Sequence, residues 1–230
     1  MRTLGLLVGM SWESSIPYYR IINERVRERL GGLHSARLVM HSVDFAGIEQ
    51  LQMRGDWDQA GRELGEAAAG LAKAGAECIV ICTNTMHKVA AAVEQGSGLP
   101  LLHIADATAA RIRAAGLVRV GLLGTRFTME QDFYSGRLAG HGLDVVVPPP
   151  ARREAVHRII YEELCRGEVR EESRQVYREI MAGLVAAGAE GIILGCTEIG
   201  LLVGPADVAV PTFDTTRIHA VAAADWALDG

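Results

Sequence analysis

GLAKAGAECIVICTNT at Gly70–Thr85 and GLVAAGAEGIILGCTE at Gly183–Glu198 are two copies of one pattern, aligned without a gap at an offset of 113 (183 − 70 = 113). Each reads as the end of an amphipathic helix, a glycine cap, an apolar strand and a polar strand end. The openings of the two halves match as well: GLLVG from Gly5 pairs with GLLGT from Gly121 at an offset of 116 (121 − 5 = 116), so a three-residue indel reconciles them. A repeat this long predicts two similarly built α/β halves with parallel sheets, and such sheets take ligands beyond the carboxyl ends of their strands. The chain is therefore expected to form two pseudo-symmetric α/β domains, 1–98 and 99–213, whose matched strand ends flank one active-site cleft between them if the halves face each other. A C-terminal helix over 214–230 is expected to pack back on the first domain.

Outward from the repeat, short β-branched runs alternate with longer amphipathic stretches, the pattern of βα units around a parallel sheet. Thr3–Val8 predicts a buried strand that enters the turn GMSWES and then a helix over about Pro17–Leu30, with Pro17 in its first turn. Arg37–Val43 predicts the next strand, Trp57–Ala74 a helix closed by Gly75, and Glu77–Cys82 an almost wholly apolar strand. A helix over Met86–Val93 follows, and Leu101–Ile104 reads as a fresh start. In the second half Val118–Leu123 predicts a strand, Thr128 the cap of a helix through Phe133 and Leu138, and Val156–Arg166 and Ser173–Ala187 two charged helices. Gly191–Leu194 and Val208–Phe213 complete the strands, and the last helix starts at Asp214.

Composition narrows the class. Apolar residues make up 49% and charged residues 22%, enough to bury a sizeable core. A net charge of -5, with Lys73 and Lys88 the only lysines, argues against a nucleic-acid partner, because phosphate binding needs clustered cations. No stretch reaches ~18 uninterrupted apolar residues, and the apolar run at the start is too short for a signal peptide, so a cytoplasmic protein with no membrane partner is expected. Cys78, Cys82, Cys165 and Cys196 include no CxxC pair, which removes the common zinc signature, and no metal is expected.

The chemistry concentrates at the matched strand ends. At offset 113, Thr83 pairs with Cys196 (196 − 113 = 83), Asn84 with Thr197 and Thr85 with Glu198. Hydroxyls, an amide and a thiol after an apolar strand supply donors for a carboxylate. Two groups on opposite sides of one carbon are what inversion requires, since one removes a proton and the other returns one. A free thiol of pKa ~8.5 is only ~3% ionised at pH 7, so Cys196 is expected in surroundings that lower its pKa. Cys82 lies one residue before Thr83, and a one-residue shift on a strand turns a side chain to the opposite face, so Cys82 is expected to be buried.

GMSWES at Gly9–Ser14, TNT at Thr83–Thr85 and GCTE at Gly195–Glu198, supported by GT at Gly124–Thr125, closely resemble the aspartate/glutamate racemase superfamily, and the resemblance spans essentially the whole chain. It implies an amino-acid substrate, no pyridoxal phosphate and a homodimer. Members of that superfamily typically use two cysteines. The second matches Cys196, which by resemblance takes the α-proton of the L-enantiomer. The first normally precedes an Asn-Thr pair, and here Asn84-Thr85 is preceded by Thr83, a far weaker acid that would donate a proton or position a water. The resemblance makes Gln52 a substrate binder, within a polar, loop-like stretch that also holds Arg54. Met10, at the end of the first strand, is expected to offer its backbone, Thr125 and Thr197 their hydroxyls, and Glu198 a carboxylate that orients the thiol or holds an ammonium. His87 is read as a cap or packing residue with an outside role in protonation, and Glu13 as a helix-start carboxylate.

Three other readings compete. A nucleotide-dependent oxidoreductase lacks its GxGxxG spacing at both GLLVGM and GLLGTR. A related carbon-acid enzyme, of the hydantoin racemase, maleate isomerase or arylmalonate decarboxylase type, shares the fold, and a non-catalytic amino-acid-binding protein would follow if the missing first cysteine abolished turnover. Pyridoxal chemistry would need a Schiff-base lysine, for which Lys88 is the nearest candidate.

Overall fold

The computed structural model describes residues 1–229, which divide into two compact units: Met1–Ile104 together with the C-terminal segment from His219, and Ala105–Ile218. In the first unit β1 (Leu4–Val8) is central, flanked in parallel by β2 (Leu38–Ser42) and β3 (Cys78–Ile81). The connections are α1 (Trp12–Leu30) after β1, then α2 (Phe45–Arg54) and α3 (Trp57–Lys73) before β3. Past β3 come a 3-10 turn over Thr85–Val89, α4 (Ala90–Ser97) and α5 (Ile104–Ala114).

Two cores sandwich this sheet. On one face Leu4, Leu6, Val8 and Cys82 pack with Tyr18, Ile22 and Val26 of α1; on the other Leu7, Ile79 and Ile81 pack with Leu64, Ala68 and Leu71 of α3. The side chains of a strand alternate between faces, and a sheet covered on both sides reads as a continuous apolar run.

The second unit repeats the plan. β4 (Arg119–Gly124) leads through α6 (Arg126–Glu130) and α7 (Asp132–Gly140) to β5 (Asp144–Val146); α8 (Pro150–Glu162) and α9 (Glu171–Ala186) precede β6 (Ile192–Gly195); and α10 (Ile199–Leu202) precedes β7 (Thr212–Asp214). The strand order is β5-β4-β6-β7, all parallel, so β4 holds the central place that β1 holds in the first unit. Finally α11 (Thr215–Leu228) carries Ala220, Ala223, Ala224 and Ala227 into the core around Leu4 and Leu6.

The repeated residues do the same work in both units. A Cβ on Gly5 would meet Ala76 at 2.8 Å and Leu71 and Ile79 at 3.2 Å; one on Gly121 would meet Ile192 at 2.9 Å and Leu184 at 3.0 Å. Leu71 and Leu184, like Ile79 and Ile192, are repeat partners, so in each unit a glycine lets the helix before the third strand sit directly on the central strand. Gly75 and Gly188 turn the chain out of those helices with φ of +94° and +93°. The glutamates of the two GAE motifs, which the sequence leaves unexplained, fasten the central strands: Glu77 accepts from the Thr3 amide at 2.8 Å, and Glu190 from the Val118 and Arg119 amides at 3.0 and 3.1 Å.

Several boundaries differ from expectation. The first long helix starts at Trp12 rather than near Pro17, and the Ser14 and Ser15 hydroxyls both donate to the Ser11 carbonyl in the turn ahead of the proline. Gln52 and Arg54 lie on α2, not in a loop, since Asp44 caps that helix through the Ala46 amide. Thr125, not Thr128, is the cap beyond β4. Leu101 is no fresh start: Ile79 donates to the Pro100 carbonyl and Leu102 donates back to Ile79, which tethers this run to β3. Among the described residues no helix is long and apolar enough to cross a membrane.

Because the two cap glycines share one conformation, Gly75→Ala and Gly188→Ala should each cost about 1–2 kcal/mol, the penalty for a side chain at such φ. Urea unfolding of the two variants checks this, and a negligible loss at either position would contradict the shared geometry.

Candidate active site

At the end of β3 the parity of the strand decides which groups are available. Cys82 is buried in the α1-side core, and desolvation there pushes its thiol well above the ordinary range. The next residue, Thr83, is buried as well, and its hydroxyl takes no hydrogen bond among the described residues. Asn84 and Thr85 follow it into the 3-10 turn and are buried.

His87 holds this turn in place. Its Nδ1 lies 2.7 Å from the Thr83 carbonyl, and its Nε2 accepts from the Ile104 amide at 3.2 Å. A carbonyl can only accept, so Nδ1 carries the proton and the ring is neutral. His219 is fixed in the other tautomer: Nε2 donates to the Leu102 carbonyl at 2.8 Å, and Nδ1 accepts from the Tyr18 hydroxyl at 2.8 Å. His87, His103 and His219 form one ring cluster, with His87 4.5 Å from His103 and 5.6 Å from His219. Burial, and then the neighbouring imidazoles, hold His87 well below the usual histidine range, and burial lowers His219 to about 4. His87 thus positions the Thr83 backbone and caps the first amide of α5, in keeping with its expected capping role.

At the end of β6, Gly195 occupies the place that Cys82 takes in the first unit. A Cβ there would stand 2.8 Å from both the Leu122 side chain and the Leu123 carbonyl, so this strand end closes onto β4 and the thiol comes one residue later. Cys196 donates from Sγ to Glu198 Oε2 at 2.9 Å, and Thr197 donates to the same oxygen at 2.8 Å. Both Cys196 and Glu198 are buried. Burial, then the Glu198 charge, raises the Cys196 pKa well above the ordinary thiol value, which corrects the expectation of a depressed one: the resting group is a thiol with its proton acceptor already in contact. Thr85 is the repeat partner of Glu198, so the first unit has a hydroxyl where the second has this carboxylate.

The remaining candidates are placed as follows. Met10 is buried with the α3-side core, just past β1. Gln52 is buried on α2 and donates from Nε2 to Sδ of Met86, the residue after TNT, at 3.0 Å. The Thr125 hydroxyl accepts from the Thr128 amide at 3.3 Å and lies 3.1 Å from the Thr128 hydroxyl. Lys88 stacks over Trp57, its Nζ 4.4 Å from the ring centroid. No cluster of three or more His, Cys, Asp and Glu suited to a metal ion occurs among the described residues.

The description Asp/Glu/Hydantoin racemase matches residues 7–223. A crystal structure of a Yersinia pestis protein, described as a candidate Asp/Glu racemase, is 61% identical over 99% of this chain and all of its own, with a TM-score of 0.92. An aspartate racemase homologue from Pyrococcus horikoshii OT3 is 36% identical over the same shares, with a TM-score of 0.85. The broad specificity amino-acid racemase RacX of Bacillus subtilis is 21% identical over 93% of this chain and 92% of its own length.

Removing the carboxylate charge should ease ionisation of Cys196 while removing its proton acceptor. In Glu198→Gln, thiolate absorbance assigned by subtraction of the Cys196→Ser background should therefore appear at lower pH than in the unaltered chain. An unchanged or higher onset would show that Glu198 does not set the thiol. The histidine cluster gives a second expectation. His219 is neutral when folded and near pKa 6.5 when unfolded, so its contribution is complete above about pH 6.5 and is lost as pH falls toward about 4. His219→Gln keeps a donor and an acceptor without titrating, and its unfolding free energy should fall less steeply across that window.

Proposed function

We propose that this chain, which belongs to the Asp/Glu/Hydantoin racemase family, is a cofactor-independent amino-acid racemase of the aspartate/glutamate type that works through Cys196 and Thr83. The observation that carries the proposal is the buried Cys196–Glu198 pair, a thiol in contact with a carboxylate at a strand end. An uncharged thiol cannot take a proton from carbon. Transfer of the Sγ proton to Glu198 gives the thiolate without adding net charge to a buried site, which makes the resting pair a latent base.

In this reading the thiolate removes the α-proton of an L-amino acid, leaving a carbanion stabilised by the substrate carboxylate. The opposite face receives its proton from the Thr83 hydroxyl or from a water that Thr83 positions, and the donor is replenished from solvent. Asn84, Thr85 and Thr197 supply donors to the substrate, Met10 its backbone, and Gln52 and Thr125 further polar contacts, with Glu198 beside the reacting carbon. RacX supports a range of side chains and the Pyrococcus homologue an acidic one; we assign aspartate and glutamate as the preferred class. Stacked over Trp57, Lys88 has no part in the scheme.

The two bases are unequal, so isotope exchange and inversion should separate. In deuterated water, Cys196 should wash deuterium into L-aspartate or L-glutamate faster than the D-enantiomer appears. Cys196→Ala should lower both rates by about 10²–10⁴-fold, the usual worth of a general base. Thr83→Cys should bring inversion up toward the exchange rate. Equal exchange and inversion rates in the unaltered chain would remove Thr83 as the weak partner, and full activity in Cys196→Ala would end the proposal.

A further inference from the structure

Three buried imidazoles, His87, His103 and His219, stand together in the first unit, and the last of them arrives on α11. A buried polar ring destabilises a fold unless its nitrogens find partners. Here the partners form a relay. The Tyr18 hydroxyl donates to His219 Nδ1 and His219 Nε2 to the Leu102 carbonyl; the Ile104 amide donates to His87 Nε2 and His87 Nδ1 to the Thr83 carbonyl. The joint between the two rings is the short segment 102–104. It is also fastened to β3, where the Leu102 amide donates to the Ile79 carbonyl, and its His103 ring lies 4.5 Å from that of His87. Ile104 ends the first stretch of this unit and His219 opens the second, so the relay gathers both points at which the chain leaves and re-enters it.

Each link constrains the next. A neutral imidazole has one donor and one acceptor, and the bond made by one nitrogen decides which of the two carries the proton. By donating to Nδ1, Tyr18 keeps the His219 proton on Nε2, where it meets the Leu102 carbonyl. Without that hydroxyl the proton is free to settle on Nδ1, and a bare Nε2 then opposes the carbonyl lone pairs. The 102–104 segment in turn sets the Ile104 amide that orients His87, and His87 sets the Thr83 backbone. All of these residues lie in the first unit, and none of the relay's bonds involves Cys196, Thr197 or Glu198.

We infer that Tyr18 and His219 are positioning residues for the Thr83 side of the reaction alone, acting through the 102–104 segment and His87. The inference rests on the roles proposed above for Thr83 and Cys196. It gives α11 a part in inversion and none in isotope exchange from the L-enantiomer. A shift of the Thr83 backbone displaces the donor on one face of the substrate carbon, while the thiolate that washes solvent hydrogen into the other face is untouched. Misplacement of a reacting group by about 1 Å is worth up to about 100-fold in rate, so a relay of this kind has a measurable effect.

Tyr18→Phe removes one hydroxyl and keeps the ring. With L-aspartate in deuterated water it should lower inversion by about 10-fold or more and leave exchange within about 2-fold of the unaltered chain. With D-aspartate, where the Thr83 side must take the proton, exchange should fall together with inversion. At position 87 two amides divide the functions of the ring: Asn offers a donor near the place of Nδ1, and Gln an acceptor near the place of Nε2. His87→Asn should therefore keep more inversion than His87→Gln. Nitrogen NMR of the imidazoles reads the relay without turnover. It should show His219 protonated on Nε2 and His87 on Nδ1, and Tyr18→Phe should move the ring signals of both. Equal losses of L-exchange and inversion in Tyr18→Phe, more inversion in His87→Gln than in His87→Asn, or His87 signals unmoved by Tyr18→Phe would each overturn the relay. An unaltered chain with neither exchange nor inversion would instead end the racemase reading, and the NMR signals would still decide whether Tyr18 and His219 govern His87.

Discussion

Everything at the two strand ends depends on how closely one helix in each unit sits on the central strand. Gly5 and Gly121 leave no room for a methyl group beneath Leu71 and Leu184, so α3 and α9 are locked in height and rotation against β1 and β4. That contact sets where Gly75 and Gly188 end the helices, and hence the register in which β3 and β6 enter the sheets. Glu77 and Glu190 then fasten the opposite ends of the central strands through backbone amides. With the entry fixed, the chain runs from each four-residue strand into a polar strand end, through Thr83 in one unit and Cys196 in the other.

The same register explains why the units carry different chemistry on one scaffold. After β3 the chain keeps a core thiol, Cys82, and presents a hydroxyl; after β6 it gives up the core side chain, as Gly195, and presents the thiol. Only the second strand end has a carboxylate in contact, and Thr197 shares its oxygen. A buried charge beside a thiol opposes ionisation, so the contact with Glu198 helps to keep Cys196 protonated in this structure.

Much of this was legible in the sequence. The gapless repeat carried the two α/β units and the parallel sheets, and the one-residue offset of Cys82 from Thr83 marked Cys82 as a core residue. What local pattern could not show came from contacts distant along the chain. The GAE glutamates reach amides more than seventy residues away. Gln52 reads as loop until Asp44 is seen to cap its helix, and its side chain is aimed by Met86, thirty-four residues on. The charge state of Cys196 depends on burial, which a motif does not report, and on a neighbour whose negative charge works against thiolate formation.

The path of α11 has a consequence for synthesis. Its alanines 220, 223, 224 and 227 fill the core around Leu4, Leu6 and Tyr18, and Ala227 accepts from the Arg2 amide at 2.9 Å. The strands of the first unit leave the ribosome before any of the second, yet one wall of their core is a helix made only after the strands of the second unit. Vectorial emergence therefore reverses the order of completion: the unit that begins first closes last, and until then β1 and α1 expose a ready-made apolar slot that a chaperone must shield or α11 must find.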